Sequence, residues 1–198
     1  WSVAVVDFRP FGGTCALRGC DPKKMLVGGA SAADHARRMR GRGIADEVHM
    51  SWPDLIAFKR SVTDPVPQER EQRYAEQGID AYHGRARFTG RNALEIGSER
   101  VEADHILLAS GAEPVRLGIP GEEHLITSET FLELEALPPR IVLVGGGYIA
   151  TEFSHIAARL GAKVTILQRG SRLLTHFDPD LVDWLMEKFR EIGVDVRV

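Results

Sequence analysis

Residues 141–167 confine this chain to a narrow set of folds. An apolar run, Ile141-Val142-Leu143-Val144, meets three glycines, Gly145-Gly146-Gly147, then an amphipathic stretch over 148–160 and a second apolar run over 163–167. Gly145, Gly147 and Ala150 fit G-x-G-x-x-A between a strand and a helix, the context in which so short a pattern carries information. Gly145 makes the tight turn, Gly147 lets the backbone approach a pyrophosphate, and Ala150 lets the helix pack closely on the strand. The phosphates would rest at the amino end of the helix, where unpaired N–H groups point outward. A helix over 179–192 and an apolar start at 194–198 extend the pattern to βαβα and the opening of a third strand, an α/β arrangement built on a parallel sheet.

Composition removes several classes of function. The 198 residues are 43% hydrophobic and 27% charged, which is ordinary for a globular chain and speaks against disorder. A formal charge of −3 leaves no basic excess for nucleic acid, and the cluster Arg37, Arg38, Arg40, Arg42 reads as a solvated helix end. No run of about 18 apolar residues is present to span a membrane, and the first residues lack the pattern of a signal peptide. We therefore expect a cytoplasmic protein, where thiols stay reduced and a pair of cysteines points to redox or metal chemistry. Metal is the weaker of these, because zinc takes three or four ligands and no second Cys/His cluster follows.

Upstream of the glycine turn, residues 2–7 read as a buried parallel strand ending in Asp7. Helices are expected over 24–40, from Trp52 onward and over 67–77. Strand-length segments at 79–83, 86–89, 93–96 and 105–109 suggest a small antiparallel meander returning to a parallel strand. Leu137-Pro138-Pro139-Arg140 continues neither helix nor central strand, and marks a boundary between domains 1–137 and 138–198.

The stretch Gly12-Gly13-Thr14-Cys15-Ala16-Leu17-Arg18-Gly19-Cys20-Asp21-Pro22-Lys23-Lys24 is the most specific in the chain. Five residues of ideal helix rise about 7.5 Å, beyond the roughly 7 Å between α-carbons that a disulfide tolerates. Closing such a bond would require distortion, which Gly19 eases, and Lys23 places a cation one turn from Cys20, where it favours thiolate. Two buried free thiols would be the alternative. Further on, the second strand of the βαβ unit ends Leu167-Gln168-Arg169, neutral and then cationic where an acid would hold the ribose of NAD. With Arg172 nearby this favours NADPH over NADH, since the extra phosphate needs guanidinium partners.

The motif Gly-Gly-Thr-Cys-x4-Cys-x-Pro-Lys-Lys resembles the redox motif of the pyridine nucleotide-disulfide oxidoreductases, the family of glutathione reductase, lipoamide dehydrogenase and mercuric reductase. Ala109-Ser110-Gly111-Ala112-Glu113-Pro114 is similar to the segment that joins the family's FAD and NAD(P) domains, and Gly145 to Glu152 is similar to its nicotinamide motif. The resemblance implies a partial FAD-binding Rossmann-like domain with a small antiparallel meander, lacking its first βα unit. The first half of an NAD(P)-binding Rossmann domain follows it.

It also implies roles. Asp7 would hold the FAD adenosine ribose, Gly12, Gly13 and Thr14 would lie by the flavin diphosphate, and Gly84 to Ala86 would offer backbone to the adenine. Ser110 and Gly111 would complete the FAD site. Cys15 would exchange with substrate and Cys20 would face the flavin, the two forming the redox disulfide. Lys23 would lie near the flavin and pair with Glu152, and Tyr148 would cover the nicotinamide pocket. Alone, each residue has an ordinary explanation: Asp7 as a strand-end acid, Tyr148 as a half-buried helix residue, Glu152 as a solvated side chain.

The implied activity passes electrons from NADPH through FAD to the cysteine pair and on to a small disulfide, in a homodimer. Mercuric reductase-like and lipoamide dehydrogenase-like activities are the alternatives. The family's exchange His and dimerisation domain have no counterpart in these residues, and His35, His49 and His176 read as surface residues. This polypeptide alone is accordingly expected to be at most a nucleotide-binding piece without turnover.

Overall fold

Two segments of the chain form parallel strand pairs joined through helices. The computed structural model describes residues 1–198. It comprises β1 (Val3–Asp7), α1 (Gly13–Arg18), α2 (Cys20–Arg38), α3 (Trp52–Thr63), α4 (Val66–Glu76), β2 (Ile79–His83), β3 (Ala86–Gly90), β4 (Ala93–Ile96) and β5 (Glu99–Glu102). After these come α5 (Ser128–Phe131), β6 (Arg140–Val144), α6 (Tyr148–Arg159), β7 (Lys163–Leu167), α7 (Pro179–Glu191) and β8 (Asp195–Arg197). The chain divides into two compact units, Trp1–Pro22 with Arg60–Glu129, and Lys23–Lys59 with Thr130–Val198.

In the first unit β1 pairs with β2 in parallel, Val3 opposite Ile79 and Asp7 opposite His83. Phe11, 2% exposed, packs its ring against Tyr74 and His83. Strands β3, β4 and β5 form a separate antiparallel meander. Two expectations are corrected here. Residues 79–83 belong to the parallel sheet, and the third strand of the meander is the charged segment β5, which has no apolar run to announce it. Residues 105–109 form no strand: β1 is paired along one edge only, and no ladder partner takes up this apolar run. Leu107 and Leu108 are exposed, at 90% and 72%.

In the second unit β6, β7 and β8 lie in parallel in that order, with α6 and α7 as the crossovers. The core gathers Ile156 and Phe153 of α6, Val164 and Ile166 of β7, Phe189 of α7, Leu26 of α2 and Leu55 and Ile56 of α3. Helix α2 begins at Cys20 rather than near 24, because Pro22 falls in its first turn, where a missing N–H costs nothing. It buries Leu26, Ala30 and Ala33 at helical spacing. A β-carbon on Gly29 would meet Leu55 at 2.8 Å, so this glycine lets α2 and α3 approach closely. Trp52 fills the core while its indole N–H donates to the carbonyl of Leu134 at 2.7 Å. Lys59 is fully buried and pairs with Glu133.

One ion pair ties α2 to α6. The carboxylate of Asp34 meets the guanidinium of Arg159, which is 8% exposed, and Arg37 donates to the Arg159 carbonyl. Burial pushes the Asp34 carboxyl up, but the hydrogen bond and charge of Arg159, with Arg38 and Lys188 adding, outweigh it and hold it below its ordinary value. A carboxylate held down in this way stabilises the fold above its ordinary pKa, and that contribution fades as pH falls through the folded value. Arg159→Met should therefore destabilise by about 2–3 kcal/mol at neutral pH, at or below the low end for a broken buried pair because Asp34 retains some solvent. Urea unfolding should show the gap from wild type narrowing in acid as Asp34 protonates, and a pH-independent gap would assign the loss to packing alone.

Candidate functional site

The two cysteines lie on either side of a helix break. Helix α1 ends at Arg18, α2 starts at Cys20, and Gly19 is the bend between them. A β-carbon on Gly19 would lie 3.0 Å from the carbonyl oxygen of Thr14, so a side chain there would crowd the sharp bend. Both thiols are free and exposed, not buried. A hydrogen bond with Cys20 keeps the Cys15 thiol protonated above its ordinary range, and the negative charge of Asp21 adds to this. Helix α1 is braced from its last residue: Arg18 meets Glu129 at 3.4 Å, and Arg9 donates to both oxygens of the same carboxylate at 2.9 and 3.0 Å.

Around the pair, the first unit offers further candidate groups. Asp7 accepts from the Arg9 N–H with one oxygen and leaves the other without a hydrogen bond, able to accept from a ribose hydroxyl. Gly84 donates its N–H to the Asp7 carbonyl at 3.0 Å, which brings the turn before Ala86 to the end of β1. Gly12 lies at φ +142°, where a β-carbon would strike Leu17, whereas Gly13 at φ +68° faces open space. Thr14 is exposed beside it. Asp7 thus keeps an acceptor and Gly13 keeps room for a nucleotide, whereas Gly12 is bare because Leu17 packs against it. Ser110 and Gly111 lie in an exposed segment outside any element.

In the second unit the ammonium of Lys23 donates to Glu152 at 2.6 Å, joining α2 to α6 by a half-buried ion pair. Tyr148 opens α6 with 61% of its surface exposed. Gly145 takes φ +110° and donates to the Leu167 carbonyl, which ties the turn between β6 and α6 to the end of β7. Gly147 caps α6 without a side-chain hydrogen bond, no acid occupies the first turn, and nothing stands within 4 Å of the place a β-carbon would take. Ala150 is buried. A diphosphate would find both room and unpaired donors at this helix end.

Arg169 and Arg172 do not share one environment. Arg169 is exposed and makes no hydrogen bond or ion pair, while Arg172 is half-buried and donates to the carbonyls of Thr175 at 2.9 Å and Phe177 at 3.3 Å. Sequence reasoning treated Gln168 only as a missing acid. Its side chain in fact accepts from the Gly146 N–H and donates to the Arg172 carbonyl. The signal was present in the third glycine, since the turn pattern requires only two. His35, His49 and His176 are exposed, and no three His, Cys, Asp or Glu gather as metal ligands. No helix is long and apolar enough to cross a membrane.

Comparison with known proteins converges on one family. The model of the pyridine nucleotide-disulphide oxidoreductases matches residues 1–198. Glutathione reductase of Burkholderia cepacia is 36% identical over 99% of this chain and 44% of its own length, and mercuric reductase of Streptomyces lividans is 36% identical over 99% and 43%. Among solved structures, the Cu(II) complex of the HOCl-induced flavoprotein disulfide reductase RclA from Escherichia coli superposes with a TM-score of 0.84. It is 29% identical, and the match covers all of this chain and 43% of that one. The chain thus spans less than half the length of the relatives it matches. With this Rossmann-like α/β fold and its cysteine and glycine motifs, the chain belongs to the pyridine nucleotide-disulphide oxidoreductase family.

Proposed function

We propose that this chain forms the FAD- and coenzyme-binding part of an NADPH-dependent flavoprotein that reduces a small disulfide, as a glutathione reductase does. The observation that carries the reading is the hydrogen-bonded thiol pair Cys15 and Cys20 on either side of the Gly19 bend, with the Lys23–Glu152 ion pair one helical turn further along α2. In this reading residues 1–137 hold FAD and 138–198 hold the coenzyme, a division made by ligand motif rather than by compactness. Bound FAD would supply the electron relay between nicotinamide and sulfur.

The protein's own groups define the rest. Asp7, Gly12, Gly13, Thr14, Gly84, Ala86, Ser110 and Gly111 would hold the flavin nucleotide, and Lys23, fixed by Glu152, would supply a positive charge to the flavin ring system. Gly145, Gly147 and Ala150 receive the coenzyme diphosphate, Tyr148 covers the nicotinamide pocket, and Arg169 takes the 2′-phosphate. Cys15 attacks the acceptor disulfide and releases one thiol. Cys20 then displaces the second and closes the Cys15–Cys20 bond. Because Cys15 is held neutral, its attack needs a base to take the proton, a need that a His from a second subunit of a homodimer would meet. The reducing cytoplasm is the compartment that suits free thiols of this kind.

A second acceptor class has one observation in its favour. Two exposed free thiols are soft ligands, as the reduction of a soft ion such as mercuric ion would require. Turnover by the whole protein separates the two: NADPH oxidation dependent on a small disulfide and abolished by Cys15→Ser supports the reading, and oxidation driven only by a soft metal ion replaces it.

Two further outcomes follow from the geometry. Arg169→Ala should weaken NADPH binding by about 10- to 100-fold, the scale of one charge-assisted contact, and leave NADH binding nearly unchanged. Arg172→Ala, which frees the loop that carries Arg169, should weaken NADPH more than NADH but by less than Arg169→Ala does; titration calorimetry reads each, and equal effects of Arg169→Ala on both coenzymes would remove it from phosphate recognition. Cys15 should alkylate with a pH midpoint above that of an ordinary thiol, because the raised proton affinity must be overcome before thiolate forms. Cys20→Ala removes the main cause and should lower that midpoint, as rates of iodoacetamide modification followed by mass spectrometry will show.

A further inference from the structure

The middle glycine of the turn is not explained by phosphate binding. A β-carbon on Gly146 would lie 2.5 Å from Leu173 Cδ2 and 3.0 Å from Gln168 Cδ, so the residue is bare because the loop after β7 presses onto it. Both backbone groups of Gly146 are engaged by that loop: its N–H donates to Gln168 Oε1 at 3.0 Å, and its carbonyl accepts from Leu174 N–H at 2.8 Å. The other end of the Gln168 amide, Nε2, donates to the Arg172 carbonyl at 3.3 Å. Leu173 is 1% exposed in the core, and Leu174 is the one non-glycine residue with positive φ, at 49°. A side-chain-bearing residue holds such a conformation only where its surroundings fix it.

We propose that Gln168 is a positioning residue for coenzyme selectivity. Its amide latches residues 169–174 to the glycine turn, so that the guanidinium of Arg169, the next residue along, is presented at a fixed distance from the diphosphate site. The inference rests on the NADPH reading of Arg169. A carboxylate at 168 could accept from Gly146 but would face the Arg172 carbonyl with a second acceptor. A neutral amide satisfies both contacts, so its two hydrogen bonds define the loop that an arginine-based phosphate site needs.

The test uses the whole protein with ADP-ribose and 2′-phospho-ADP-ribose, titrated calorimetrically. Gln168→Met keeps side-chain length and removes both hydrogen bonds. It should weaken the 2′-phosphorylated ligand about tenfold, the scale of one or two lost hydrogen bonds, and ADP-ribose less than about threefold. Amide hydrogen exchange at Gly146 and Leu174 should quicken in the same variant, and Gln168→Ala should give the same split if the methionine packs poorly. Arg169→Ala should lose the preference for the 2′-phosphate while leaving exchange at Gly146 unchanged. If wild type binds both ligands equally, the NADPH reading fails and the inference falls with it. If wild type prefers the 2′-phosphate but Gln168→Met loses both ligands equally, or neither, the latch alone is overturned.

Discussion

The second unit is organised around a glycine turn whose middle residue comes too close to its neighbours to carry a side chain. Where β6 ends, Gly145 turns the chain at positive φ and Gly146 lies under Leu173 and Gln168. Gly147 leaves open space at the head of α6. Glycine costs conformational entropy in any folded segment, and each of the three has its own reason to be there: positive φ at Gly145, close approach at Gly146 and open room at Gly147. Here the approach fixes three things at once: the strand-to-helix turn, the loop that carries two arginines, and the entry of α6 into the core through Ala150 and Phe153. Moving the turn by the width of a methyl group would displace all three.

A comparable economy organises the cysteines. Gly19 breaks one helix into two, which turns residues five apart into hydrogen-bonded neighbours, and Cys20 then raises the proton affinity of the Cys15 thiol more than any other surrounding group does. Glu129 holds both Arg9 and Arg18, and so anchors the segment before α1 and the end of α1 to one carboxylate. The pair is presented at the surface by local chain geometry rather than by burial, which suits thiols that must meet an external partner.

What could be read from the sequence follows from the range of the forces involved. The βαβα pattern, the glycine turn and the cysteine motif are local, and so were legible; the surface histidines likewise. Residues 105–109 were read as a strand because they are apolar, yet a strand exists only with a ladder partner, which no local pattern reports. Strand β5 was missed for the opposite reason: Glu99, Arg100 and Glu102 carry no hydrophobic signal, and the hairpin with β4 alone makes them a strand. Helix α2 was started late because Pro22 reads as a stop unless its first-turn position is known. The roles of Gln168 and Arg172 depend on contacts across a loop, and only the third glycine hinted at them.

The one-sided pairing of β1 has a consequence for how the polypeptide behaves in the test tube. Val3-Ala4-Val5-Val6 presents one full row of backbone donors and acceptors to β2 and leaves the opposite row without a strand, with Val3 itself half exposed. The edge carries no proline, lysine or bulge of the kind that blunts such rows. In the same unit, Leu107 and Leu108 add bare apolar surface. That open row is a template to which a strand of matching register, from a second copy or from another segment, can add, with the bare valine and leucines making the addition adhesive.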